Sequence, residues 1–113
     1  MGKLFILKKQ GSQNLNSAAL SLTTAFNKDW QFTEVRIHFS GAVTQTVTIS
    51  VDDGSGSNYD TVLKTEDLSG ETDFTWIPGE KVLLKEGDEI KVACTNSGSP
   101  AVIAYATIIG HEV

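Results

Sequence analysis

Hydrophobic and polar residues alternate along much of this chain with a period of two. In "TEVRIHFSG", Val35, Ile37 and Phe39 fall on one side while Glu34, Arg36 and His38 fall on the other, the spacing of a half-buried strand. "VTQTVTISV" repeats the pattern. Val43, Val47, Ile49 and Val51 share a face, and Thr44, Thr46, Thr48 and Ser50 form a row opposite, where β-branched side chains suit a solvent-facing pleat. Gly41-Ala42, between the two runs, predicts a tight hairpin connection.

Further strands are predicted in "KLFILKK" (3–9), "ALSLTTAF" (19–26), "YDTVLKTE" (59–66), "FTWIP" (74–78), and on either side of a turn at Glu86-Gly87-Asp88 in "KVLLKEGDEIKVACTN". Pro78-Gly79 stops the fourth of these runs. The segment "NSAALSLTTAF" is the best helix candidate, but its Ser and Thr content favours strand. The final run, "AVIAYATIIGHEV", is apolar on both faces, so it is either a central strand between layers or one pressed against another chain. About eight short strands punctuated by Gly, Ser, Asn and Pro predict an all-β fold, a single antiparallel β-sandwich of jelly-roll type spanning residues 1–113. The polar segment 9–17 is the candidate for an arm or loop.

Composition narrows the class. The 113 residues are 40% hydrophobic and 20% charged, enough for one folded domain with a real core. No apolar run approaches the ~20 residues of a membrane span. The start, "MGKLFILKKQG", lacks the apolar length and cleavage site of a secretory leader and the hydroxyl residue of a myristoylation signal. The chain is therefore expected to stay, or be assembled, in the cytoplasm where it is made. A net charge of −5 argues against neutralising nucleic-acid phosphates. The lone Cys94 excludes an internal disulfide, and its alternation with Ile90 and Val92 places it in the core.

Candidate chemistry is sparse. Of the two histidines, His38 lies on the outer face of a strand and His111 near the end of the chain, and no hydrolase, phosphate-loop or zinc signature is present. No enzymatic activity is expected. The loop "DDGSGSNYD" carries Asp52, Asp53 and Asp60. Carboxylates among carbonyl-rich turns suit calcium, yet the spacing matches no EF-hand, and Gly, Asp and Asn there also make an ordinary hairpin loop. Loop is the first reading and calcium the second. Trp30, Tyr59, Phe74 and Trp76 could stack on a sugar ring. Phe74 and Trp76 alternate onto one face and read as core, whereas Trp30, where a strand begins, reads as a partly exposed contact.

Residues 44–96 resemble a group of small β-sandwich virion proteins of tailed bacteriophages and prophages. The resemblance is carried by the Thr/Val strand 44–51, the acidic Gly/Ser loop running into "NYDTVL" at 52–63, the aromatic "WIP" strand at 74–78, and the "L-x-x-GD-x-I-x-V" hairpin at 84–92. It implies a protein made in the host cytoplasm and built into the virion, decorating or cementing the outside of the head. It also implies capsid shell proteins as partners and a homo-oligomer, with a trimer the natural arrangement about a shell axis. No catalytic residue is carried over. Val102, Ile103, Tyr105, Ile108 and Ile109 of the last strand, with Trp30, are the interface candidates. A tail or fibre component and a carbohydrate-binding module, with or without calcium, are the alternatives.

Overall fold

The computed structural model describes residues 6–96 and 101–113. Positions 3–5 of the predicted first strand lie outside them. Nine strands run through the described residues: β1 (Ile6–Asn14), β2 (Leu20–Thr24), β3 (Trp30–Val43), β4 (Thr46–Asp52), β5 (Thr61–Asp67), β6 (Glu71–Trp76), β7 (Val82–Leu84), β8 (Glu89–Cys94) and β9 (Ile103–Glu112). The segment 19–26 is extended, not helical: β2 carries its centre, and the only helical turn among the described residues is the 3-10 turn at Ser57–Tyr59.

The strands form two antiparallel sheets. One has the order β1-β9-β3-β6, with β7 also paired to β3, and the other has the order β2-β8-β4-β5. All connections except β4–β5 and β6–β7 carry the chain from one sheet to the other. With β7 set aside, this interleaving is that of a jelly roll.

The alternation read from the sequence sets which side chains turn inward. Val35, Ile37 and Phe39 of β3 meet Val47 and Ile49 of β4 and Ile90, Val92 and Cys94 of β8, all buried. Burial also pushes the Cys94 thiol up to about 11, so at neutral pH it behaves as a small apolar side chain.

Three connections differ from expectation. The chain does not turn at Gly41-Ala42: β3 continues through Val43, and the corner falls at Thr44-Gln45. That corner is not a hairpin, because β3 and β4 belong to different sheets. Likewise β7 and β8 do not pair with each other, so the Glu86–Asp88 turn crosses between sheets. Finally, residues 9–14, in the segment read as arm or loop, pair with β9 as part of β1, and Leu15 is fully buried. Glycine explains why this polar stretch packs so close. A Cβ on Gly11 would come within 2.9 Å of Leu22 in the opposite sheet.

Candidate interaction surface

The β4–β5 loop, the candidate calcium site, is closed by its own backbone. Asp53 Oδ1 accepts the Ser55 amide at 2.7 Å, Asp60 Oδ1 accepts the Asp53 amide at 2.9 Å, and Gly56, at φ 124°, leads into the 3-10 turn. These are Asx-type closures, in which the carboxylates serve amides. The same end is tied to its neighbours. Asp88 accepts the Gly54 amide at 2.8 Å and the Lys85 amide at 3.0 Å. Asp29 accepts the Glu86 amide at 3.0 Å, and that amide with the Lys85 ammonium holds its carboxyl below the ordinary range. Asp52 points elsewhere, opposite Glu89 of β8. Among the described residues no group of three or more His, Cys, Asp or Glu is placed to hold a metal.

The Asp52–Glu89 pair sets like charges directly across two strands, an arrangement that destabilises a sheet by roughly 0.2–1 kcal/mol. Partial burial, and then Asp52, raise the Glu89 pKa above its ordinary value. The folded state therefore binds the Glu89 proton more tightly than the unfolded chain does, and the penalty appears as pH rises from the ordinary glutamate range through the raised value. Glu89→Gln is accordingly expected to raise the melting temperature by one to a few degrees at pH 7, roughly what a few tenths of a kcal/mol give. The gain should shrink toward zero at pH 3. A gain that persists at pH 3 would show that charge is not its cause.

Of the aromatic residues weighed as a platform, Trp30 and Phe74 are in the core and Trp76 is partly covered against Phe32, with ring centroids 6.0 Å apart. Tyr59 stands alone on the β4–β5 loop, 65% exposed. The expectation that Trp30 is a partly exposed contact is therefore corrected. Its indole is fully buried, with the rings of Phe26 and Phe32 packed edge-on against it. Val102 and Ile108, the other interface candidates that turn inward, are buried too. The physical reason is the central place of β9 between β1 and β3: one of its faces is core, and only the other can meet a partner.

That other face carries Ile103, Tyr105, Thr107 and Ile109. Cross-strand register assembles around them a surface that the sequence did not reveal. Ser12 of β1, Tyr105 of β9, His38 of β3 and Asp73 of β6 stand in one row across four strands. Tyr105, 47% exposed, stacks on the His38 ring at 6.4 Å between centroids. His38 Nδ1 lies 2.8 Å from Asp73 Oδ1, and this contact, with the Thr72 hydroxyl, lowers the Asp73 pKa. In the next row Gln10 donates to Thr107 at 3.2 Å, and Arg36 is gripped by Glu34 at 2.7 Å. A shallow depression of about 280 Å3 opens between β1 and β9, lined by Gln10, Ser12, Tyr105 and Thr107.

Ser12, His38 and Asp73 do not make a hydrolytic triad. Tyr105 separates Ser12 from His38 by two strand spacings, roughly 9–10 Å, far beyond the reach of proton transfer. The face offers hydrogen-bond groups, one aromatic ring and flanking aliphatic side chains. That is the equipment of a binding surface.

The molecule so defined is a small jelly-roll sandwich with a mixed aromatic and polar outer sheet face. No family model matches the chain, and no curated protein sequence does. Its fold is found in solved structures. A chain in the acid-stable capsid of Helicobacter pylori bacteriophage KHP30 matches with a TM-score of 0.58 and 12% identity, over 96% of this chain and 91% of that one. The Yersinia pseudotuberculosis-derived mitogen matches with a TM-score of 0.51 and 12% identity, over 92% and 85%. The core of Drosophila NLP follows at 0.48 and 9%, over 90% and 95%. At these identities the likeness is one of fold.

Proposed function

We propose that this chain is a non-enzymatic structural protein of a virion, decorating or cementing the outside of a tailed-phage capsid. The observation that carries the reading is the end-to-end correspondence of its jelly roll with the phage capsid chain, at a TM-score of 0.58. The resemblance of residues 44–96 to small β-sandwich virion proteins of tailed phages and prophages points the same way. In this reading the outer face of β9, with Ile103, Tyr105 and Ile109, meets the shell, and several copies, three in the simplest arrangement, gather about a symmetry axis. Many weak contacts on a rigid lattice then add through effective concentration, and the shell gains stability because the protein binds only its assembled form.

The test is to mix the purified protein with capsids that lack it and sediment them. The protein should pellet in fixed stoichiometry and raise the temperature at which the heads open. Tyr105→Ala, which removes the exposed ring, should weaken binding about tenfold or more if Tyr105 is a central anchor. Protein left in the supernatant at every ratio would sink the reading. Glycan binding is the second reading, because the depression beside Tyr105 pairs a half-exposed ring with amide and hydroxyl groups. Saturable heat release on titrating glycans, lost in Tyr105→Ala, would favour it.

A further inference from the structure

The two sides of the sandwich differ. On one side β1 and β2 close over the core through Gly11 and Leu22. On the other, a groove of about 320 Å3 runs between β5 and β6, with Leu68, Phe74 and Trp76 among its lining residues. Lys64 and Glu66 of β5 rim this groove. They face inward, since their cross-strand partners Ile49 and Val47 are core residues. Inward-facing charge on an edge strand is a device against indiscriminate strand pairing.

Among the described residues the larger sheet has two free edge strands, β1 and β6, of opposite charge. Along β1 the only charged residues are Lys8 and Lys9. Along β6 they are Glu71 and Asp73. All four are exposed. The two acids are held at the edge by their own chain: Glu71 accepts the Ser69 amide, and Asp73 is engaged by His38 and Thr72. An edge paired with its own kind would set Lys against Lys, or carboxylate against carboxylate, which is unfavourable. Only β1 against β6 brings opposite charges together.

Strand direction agrees. Each neighbouring pair in β1-β9-β3-β6 is antiparallel, so β1 and β6 run in opposite directions. A second copy rotated about an axis parallel to the strands therefore offers its β1 antiparallel to β6, the favourable hairpin-like geometry. A head-to-tail contact of this kind closes into a ring when the rotation allows.

We infer that the chain assembles with copies of itself head to tail, β1 of one copy pairing with β6 of the next. Lys9, which turns toward the sandwich interior beside the core residue Ile108 yet stays exposed in its own subunit, then lies over the neighbour's groove near Glu66. Lys8, on the outer face, meets the row that carries Asp73. The inference rests on the reading above only for the expectation of self-association, and its test needs no capsid.

The experiment is light scattering and sedimentation velocity, from micromolar to millimolar concentration, on the wild type and three variants. The wild type is expected as a discrete closed oligomer. Lys8→Glu with Lys9→Glu, and separately Glu71→Lys with Asp73→Lys, should each give the monomer mass with an unchanged far-ultraviolet circular dichroism spectrum. The variant combining all four reversals restores opposite charges and should recover the oligomer. A wild type that is monomeric throughout would overturn the inference. So would an oligomer indifferent to both double reversals, or a fourfold variant that stays monomeric while folded. If either double variant loses its β spectrum, the four-residue swap alone decides: recovery of fold and oligomer supports the pairing, and failure to recover rejects it.

Discussion

Trp30→Ala is expected to lower the unfolding free energy by about 3–5 kcal/mol, the usual cost of deleting a large buried aromatic. For a domain of this size that is a fall in melting temperature of roughly 10–20 °C. Trp30 is fully buried, with Phe26 edge-on at 4.8 Å and Phe32 at 6.5 Å between centroids. Beneath the ring runs Gly110 of β9, where a Cβ would lie 2.5 Å from the indole and 2.6 Å from the Gln31 carbonyl. The indole and the bare glycine thus form one packing unit across β3 and β9. Neither a smaller residue at 30 nor a larger one at 110 preserves it. Trp30→Phe should cost clearly less than Trp30→Ala. It keeps most of the aromatic volume and removes the indole N–H, which finds no hydrogen-bond partner among the described residues and so carries a desolvation penalty in the native state. Urea unfolding of the two variants checks both statements. A Trp30→Ala protein within 1 kcal/mol of the wild type would show that the ring is not part of the core.

Which residues turn inward was legible in the sequence wherever one face of a strand is polar. Val35, Ile37 and Phe39 alternate with Glu34, Arg36 and His38, and Cys94 follows Ile90 and Val92, so period two alone assigns their faces. The burial confirms those assignments. Which sheet a strand joins was not legible, because the inner faces of both sheets carry the same kinds of side chain. Gly41-Ala42 therefore read as a hairpin although β3 runs on past it. The "GD" turn likewise read as a hairpin although it crosses between layers. What marks that crossing is tertiary: the Asp88 carboxylate spans Lys85 and Gly54 in separate loops.

The candidate surface was hidden for a related reason. His38, Tyr105 and Asp73 are far apart in sequence: His38 reads as an ordinary outward residue of its strand, and Tyr105 as an interface candidate whose neighbours the sequence does not show. Only the order β9-β3-β6 puts them in one row. Trp30 misled because a strand's first residue usually lies at the rim. Here β7 and β9 both pair with the start of β3, at Leu84 and Glu112, and cover it. The β4–β5 loop was readable as a turn because Asp, Gly and Ser close one locally. Its carboxylates do what isolated turn chemistry predicts, for Asp53 and Asp60 at least.

The last strand gives the sharpest separation of fold from function, because two adjacent isoleucines should behave oppositely. Ile108 is fully buried, paired with Lys9 on one side and Val35 on the other. Ile108→Asp would bury a carboxylate in the core, and its cross-strand neighbour Lys9 stays exposed at the sheet edge, so the new charge has no buried partner and costs several kcal/mol. Since a domain's whole stability is about 5–15 kcal/mol, this variant should be largely unfolded or confined to inclusion bodies. Ile109 points the other way, between Lys8 and Glu34 on the outer face. Ile109→Asp should fold with a change in stability of at most about 1 kcal/mol, because water can reach the new carboxylate and Lys8 stands beside it. Under the proposed function its effect should fall on binding: a charge set among Ile103, Tyr105 and Ile109 would have to be desolvated if a shell covered them, and should weaken capsid attachment at least tenfold. Circular dichroism and capsid co-sedimentation on the pair separate the two outcomes. If Ile109→Asp binds as well as the wild type, the outer face of β9 is not the surface that meets the capsid. If Ile108→Asp folds normally, β9 does not line the core.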